Sequence, residues 1–183
     1  MTSLRIAAVL AALGAALITF WPNAWTAAST EQPVGGTPAP DFTGADRWFN
    51  SAPLTLEKLH GKVVLVDFWT RECINCIHTL PHIKTLYDKY ASQGLVIVGV
   101  HTPEYDEEHD PALLQKAIDQ YQITWPVALD NSYRIWNAYG NRYWPAIYLI
   151  DRRGHVVYYH VGEGNYDDTE QRIRQLLGTS QNA

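Results

Sequence analysis

A strand–helix–strand pattern near the middle of the chain constrains the fold more than any other feature. Residues 62–69 read KVVLVDFW and residues 95–100 read LVIVGV. Near-continuous apolar runs of this kind are typical of parallel strands that are covered on both faces. Between them, residues 73–92 carry apolar side chains at helical spacing, and Pro81 is expected to kink that helix. The pattern predicts a right-handed βαβ crossover.

The segments that follow predict a mixed sheet within a single α/β domain, residues 41–178. A helix is expected over residues 111–121, a short strand at WPVALD, and a short helix at NSYRIWNAYG that ends at Gly140. The run AIYLIDRRGHVVYYHV predicts two antiparallel strands joined by a short turn, and DDTEQRIRQLLG predicts a last helix with an Asp cap. The formal net charge of -5, with Lys and Arg scattered singly, argues against nucleic acid as a partner.

The N-terminus predicts export. Arg5 precedes an uncharged, largely apolar run at residues 6–21, and small residues follow. We therefore expect residues 1–28 to be a signal peptide or a membrane anchor, with membrane association through the apolar run in the second case. Residues 29–40 are expected to form a flexible linker, and residues 179–183 a tail. Either form of the leader places the domain outside the cytoplasm, in the periplasm or cell envelope.

Both cysteines of the chain, Cys73 and Cys76, lie within the stretch TRECINCIHTLPHI. A disulfide between them would close too small a loop to stabilise the fold much, so a reactive role is favoured. Three chemistries fit this spacing. The first is disulfide exchange. The second is peroxide reduction, which the preceding Thr70 suggests, and the third is metal binding, which His78 and His82 suggest.

The position of the cysteines after a buried strand predicts different roles for them. Cys73, at the first turn of the helix, would face unpaired N–H groups and the positive end of the helix dipole, which stabilise a thiolate. Cys76 is one turn further in and more shielded, so we expect Cys73 to attack and Cys76 to resolve. Asp67 lies within the preceding apolar strand, where lost hydration raises a carboxyl pKa and allows it to accept the Cys76 proton. The alternative for Asp67 is a strand-end aspartate bound to backbone N–H groups.

These motifs resemble the thioredoxin superfamily. VDFWTRECINCIHTLP matches its active-site segment, and CINC, GVHTPE, NAYGNRYWPAIYLID and GEGNY are similar to the extracytoplasmic thioredoxin-like module of DipZ proteins, with TlpA and ResA type reductases as further relatives. The resemblance covers residues 40–178. It implies a thioredoxin-like three-layer α/β/α fold with a central mixed sheet, a redox-active Cys73–Cys76 disulfide, no cofactor or metal, and a cis peptide before Pro145.

The resemblance also suggests a substrate-binding side. In this fold the backbone before the cis proline pairs with an extended substrate chain, and Trp144 would add contact area unless it belongs to the core. The substrate-binding candidates are Trp69, Trp144, Pro145, Gly162 and Gly164, and Glu104 of the acidic loop PEYDEEHDP is a further residue to test. Trp69 could likewise be a core residue without a substrate contact. The two glycines could simply end a hairpin, and the acidic loop could be a solvated cap of the following helix.

The predicted function is therefore an exported thiol-disulfide oxidoreductase that exchanges its CxxC disulfide with protein disulfide or dithiol substrates, acting as a reductase. DipZ chains carry the module fused to a membrane electron-transfer domain, so here we expect the electron donor to be a separate membrane protein of the CcdA/DsbD type. Thr79 stands where TlpA and ResA reductases often have a carboxylate, and the Ile74-Asn75 dipeptide leaves the redox potential open. The alternatives are a thiol peroxidase and a Cys-based metal carrier.

Overall fold

The computed structural model describes residues 36–178. The strands are β1 (Thr37–Pro38), β2 (Arg47–Phe49), β3 (Val63–Trp69), β4 (Leu95–His101), β5 (Val127–Leu129), β6 (Ala146–Ile150) and β7 (His155–Val161). The helices are α1 (Ile74–Tyr90), α2 (Pro111–Gln120), α3 (Arg134–Ala138) and α4 (Tyr166–Leu177), with 3-10 turns at Ala91–Gln93 and Asp106–His109. Within this part of the chain no helix is long and apolar enough to cross a bilayer. The predicted signal peptide or anchor and the predicted tail lie outside the described residues.

The strands form one mixed sheet in the order β1-β7-β6-β3-β4-β5-β2. β3 pairs in parallel with β4, and β4 with β5, whereas the pairs on either side of this central group are antiparallel. Every residue of β3 is buried, because β3 is central in the sheet and covered on both faces. The predicted βαβ crossover and the predicted β6–β7 hairpin are both confirmed.

Two apolar clusters lie on opposite faces of the sheet and make it the middle of three layers. One contains buried side chains of α1, α2 and α4, and the other contains buried side chains of α3 and of the chain before β3. The three-layer α/β/α arrangement is therefore confirmed. Pro81 lies inside α1, which continues through it to Tyr90.

The edges of the sheet differ from the sequence prediction. β1 pairs with β7, and the Ala39 N–H donates to the Gly154 carbonyl oxygen at 2.9 Å, so residues 37–39, which were predicted as part of the linker, bind the sheet edge. β2 was also unpredicted, because neither it nor β1 is an apolar run: both residues of β1 are exposed, and only Phe49 of β2 is buried. α4 begins at Tyr166, one residue before the acidic pair that was expected to cap it.

Candidate active site

Cys73 and Cys76 form a disulfide where β3 runs into α1, with their Cα atoms 5.2 Å apart. Cys73 is the N-cap residue of α1, and its Sγ accepts a hydrogen bond from the Cys76 N–H at 3.2 Å. Cys73 is partly exposed, whereas Cys76 is 0% exposed and lies in the core. A helix of 17 residues begins directly after Cys73, so the positive end of its dipole lies at that sulfur.

Asp67 lies in the core, on the face of β3 that packs against the apolar cluster containing Cys76. Leu65 and Trp69, two positions away on either side, belong to the apolar cluster that contains Cys76. Because side chains alternate along a strand, the Asp67 side chain points to that same face. Asp67 is 1% exposed, and neither of its carboxyl oxygens has a hydrogen-bond partner among the described residues. Burial raises the pKa of Asp67 from 3.8 to about 7, which suits a group that exchanges a proton near neutral pH.

A position without a side chain lies beside Asp67. Gly99 is its partner across the β3–β4 ladder, and a Cβ there would lie 3.1 Å from the Trp69 Nε1 and 3.4 Å from the Trp125 Nε1. The indole N–H groups of Trp69 and Trp125 therefore lie close to β4 at Gly99, the position that pairs with Asp67. Among the described residues, the Trp125 N–H has no hydrogen-bond acceptor. The sequence did not single out Gly99 or Trp125, because their proximity to Asp67 depends on which strands pair.

Pro145 lies beside the end of β3. Ala146 pairs with Phe68 in the antiparallel β3–β6 ladder, which places Pro145 next to the strand end that leads to Cys73. The Trp144–Pro145 peptide is cis, as the resemblance implied. The Pro145 carbonyl oxygen accepts a hydrogen bond from the Gly162 N–H at 2.8 Å, so the end of β7 also lies at this site.

The two candidate tryptophans are placed differently. Trp144 is partly exposed, its Nε1 donates to the Thr102 carbonyl oxygen at 3.1 Å, and its ring packs 4.2 Å from that of Trp136. Trp69 is 1% exposed and packs edge-on against His101. A side chain buried to this degree does not contact a docked chain, so the prediction of Trp69 as a substrate contact is corrected to a core position.

The two candidate glycines are explained by their backbone conformation and not by a lack of space for a side chain. Gly162 and Gly164 have φ angles of 91° and 93°, in the left-handed region that disfavours side chains. No described heavy atom lies within 4 Å of an ideal Cβ at either position. Of the two, Gly162 has the direct hydrogen bond to Pro145.

In the acidic loop, the buried carboxylate belongs to Glu108 and not to Glu104. The Glu104 side chain is exposed, and its backbone N–H donates to Glu108 Oε2 at 2.6 Å. Glu108 is 0% exposed and lies three residues after Tyr105, the N-cap of the 3-10 turn. The sequence signature of such a cap has Ser or Thr at the N-cap, so a tyrosine at this position gave no signal that Glu108 differs from the neighbouring acids.

The residues that suggested other chemistries are engaged elsewhere. Thr70 is buried, and its hydroxyl donates to Glu108. The His78 Nδ1 lies 2.8 Å from the Glu163 carboxylate, and His82 stacks on a tyrosine ring. In the described part of the chain, no group of three His, Cys, Asp or Glu side chains is arranged to hold a metal ion.

The amino-acid sequence is similar to a protein family and to several known proteins. Residues 35–159 match the model of the AhpC/TSA family. Protein DipZ of Mycobacterium bovis is 48% identical over 142 residues, which are 76% of this chain and 20% of that protein. Thiol-disulfide oxidoreductase YkuV of Bacillus subtilis is 30% identical over 145 residues, covering 79% of this chain and 97% of YkuV. The chain thus spans about a fifth of the length of DipZ and nearly all of YkuV.

A solved structure gives the same fold. The crystal structure of a thioredoxin-like superfamily protein superposes with a TM-score of 0.72 at 28% identity, covering 77% of this chain and 96% of the other. The predicted thioredoxin-like fold is therefore confirmed.

Proposed function

This chain belongs to the AhpC/TSA family, and within that family we propose that it is a thiol-disulfide oxidoreductase acting on protein substrates outside the cytoplasm. The observation that carries the proposal is the arrangement of one accessible and one buried cysteine, with a buried, unpartnered Asp67 on the same face as the second. The enzyme class agrees with the name of YkuV, which this chain covers almost completely.

The reaction begins with the reduced enzyme. The Cys73 thiolate attacks one sulfur of a substrate disulfide, so a Cys73–substrate bond forms and the substrate's other sulfur leaves as a thiolate that takes up a proton. Cys76 then loses its proton to Asp67 and attacks the Cys73 sulfur, which closes the Cys73–Cys76 disulfide and releases the second substrate thiol. Two electrons pass from the enzyme dithiol to the substrate, and the reverse sequence oxidises a substrate dithiol.

The substrate would bind along the backbone before Pro145. This backbone lies at the end of β3 beside the cysteines, and the partly exposed Trp144 is held there by its hydrogen bond to Thr102. An extended chain can pair with such a backbone segment while its cysteine reaches Cys73. Gly162 keeps the adjacent turn in place through its bond to the Pro145 carbonyl.

Export and the electron source are part of the proposal. The uncharged run at residues 6–21 supports export or anchoring in a membrane. A reductase outside the cytoplasm needs a supply of electrons, so we propose a membrane electron-transfer protein of the CcdA/DsbD type as the donor. Its dithiol would reduce the Cys73–Cys76 disulfide by the same two exchange steps.

Turnover of insulin disulfides by the purified domain tests this function. Cys73→Ser should abolish turnover, because the attacking sulfur is lost, whereas Cys76→Ser should accumulate a mixed disulfide on Cys73 that mass spectrometry detects. Exposed Thr85→Ser on α1 is the control and should keep the wild-type rate. Insulin turnover by Cys73→Ser would contradict the mechanism, and peroxide consumption with sulfenate on Cys73 would instead support the peroxidase alternative.

A further inference from the structure

The Glu108 carboxylate joins two loops at the active-site end of the sheet. One loop, residues 70–72, connects β3 to Cys73, and the other follows β4. Glu108 accepts four hydrogen bonds, two from each loop. The donors are the Thr70 hydroxyl, the Glu72 N–H at 3.0 Å, the Glu104 N–H at 2.6 Å and the Tyr105 N–H at 3.1 Å.

Glu108 is negatively charged at neutral pH. Burial alone would raise its pKa, but the hydrogen bonds from the four donors outweigh burial and hold the pKa below its ordinary value of 4.5. All four donors are neutral groups, so they solvate the charge without cancelling it.

The neighbouring titratable groups leave that charge in place. Burial lowers the pKa of His101 to about 4, and its Nε2 lies 3.3 Å from the Arg71 N as an acceptor, so the ring is neutral at pH 7. The Arg71 guanidinium contacts the Glu72 carboxylate and donates to the Glu107 carbonyl oxygen at 2.9 Å. A buried anion is thus bonded to the backbone N–H one residue before the attacking cysteine.

We propose that Glu108 is a positioning residue for Cys73, holding the loop before the cysteine in place and biasing the Cys73–Cys76 pair toward the disulfide. The inference rests on the proposed function, because it assigns a role within that exchange reaction. Among the described residues, the hydrogen bonds of the Glu108 carboxylate go to the two loops and not to either sulfur. It acts through residues 70–72.

The sign of the bias follows from charge. Reduction by glutathione converts the Cys73–Cys76 disulfide and two glutathione thiols into two enzyme thiols and one glutathione disulfide, with two electrons and two protons transferred. A nearby anion disfavours the Cys73 thiolate in the reduced enzyme and leaves the uncharged disulfide unaffected. Glu108 should therefore make the enzyme the stronger reductant.

The test compares Glu108→Gln, Glu108→Asp and the control Glu107→Gln in the full chain. Glu107→Gln removes the same charge from an exposed side chain of the same 3-10 turn. Glu108→Gln should raise the glutathione equilibrium constant about threefold to tenfold, or about 15 to 30 mV, and lower the Cys73 pKa. Glu107→Gln should change the constant less than about twofold, because water screens an exposed charge. Glu108→Asp, which keeps the charge, should lie closer to wild type than Glu108→Gln.

A second measurement needs no variant and tests the positioning role of Glu108 if Glu108→Gln does not fold. In wild-type protein the amide signals of Glu72, Glu104 and Tyr105 should titrate together, with a midpoint below the ordinary Glu pKa, as one carboxylate loses its charge.

The outcomes separate this inference from the proposed function. An unchanged equilibrium constant in folded Glu108→Gln, or amides that titrate independently, would overturn the role of Glu108. A wild-type Cys73–Cys76 pair that does not equilibrate with glutathione would instead overturn the proposed function. The amide titration would still show whether Glu108 holds the two loops.

Discussion

At the scale of single residues, the site combines two buried carboxyl groups in opposite states. Asp67 has no hydrogen-bond partner among the described residues, so burial dominates and its pKa rises to about 7. For Glu108, hydrogen bonds from four donors outweigh burial, and its pKa falls. One carboxyl group is therefore suited to exchange a proton, and the other to remain a fixed charge.

Asp67→Asn should stabilise the oxidised protein at pH 8 much more than at pH 4. Because burial raises the Asp67 pKa from 3.8 to about 7, the native state binds this proton more tightly than the unfolded state does. The wild-type carboxyl group therefore costs no stability well below pH 3.8, its cost grows between pH 3.8 and about 7, and it stays constant at higher pH. The upper limit is about 4 kcal/mol, at ~1.4 kcal/mol for each tenfold change in proton affinity.

Urea unfolding at both pH values measures this difference. Asp88→Asn on the exposed face of α1 is the matched control and should show no pH-dependent gain. An equal gain from Asp67→Asn at pH 4 and pH 8 would mean that the carboxyl group is not held neutral by burial.

At the scale of elements, the β3–α1 junction makes the two cysteines unequal. Cys73 occupies the N-cap of α1, where unpaired N–H groups and the dipole favour a thiolate. Cys76 lies one turn along, on the face that packs against the sheet, and is fully buried. The same local sequence thus places one sulfur at the surface and the other in the core.

In the reduced protein, Cys73 should react with iodoacetamide at least about tenfold faster than Cys76 at pH 7, because thiolate character and access both favour it. Peptide mapping by mass spectrometry measures the two rates. Each single Cys→Ser variant shows whether one thiol affects the other. Similar rates for both thiols would contradict the assignment of Cys73 as the attacking residue.

At the scale of the whole molecule, the sheet depends on pairings between distant parts of the chain. β1 covers the edge of β7, more than a hundred residues later, and β2 covers the edge of β5. The central strands are fixed by apolar burial, whereas these outer strands mainly satisfy the backbone groups of an edge that would otherwise be open.

A chain that begins at Asp41 should be less stable than one that begins at Gly36, by about 1 to 3 kcal/mol for the lost edge hydrogen bonds. The loss includes the bond from the Ala39 N–H to the Gly154 carbonyl oxygen. It also leaves β7 as an open edge that can pair with a second molecule. Urea unfolding and sedimentation compare the two chains, and equal stability would show that β1 contributes nothing.

The fold could be predicted where its causes are local. The apolar runs of β3 and β4, the spacing in α1 and the turn between β6 and β7 were all readable, since each reflects contacts within a short segment. β1 and β2 were missed, because their pairing is set by distant strands and not by their own residues.

For the site, the sequence by itself determined the position of the Cys73–Cys76 pair and the burial of Asp67, because a strand and a helix next to each other in the chain place all three. Only the tertiary structure decided that Trp69 belongs to the core and that Gly99, with the Trp125 indole close to it, pairs with Asp67. It also decided that Glu108 is the buried acid of the loop after β4. The physical reason is that burial and hydrogen bonding of a side chain depend on what packs over it. That packing comes from residues far away in the sequence.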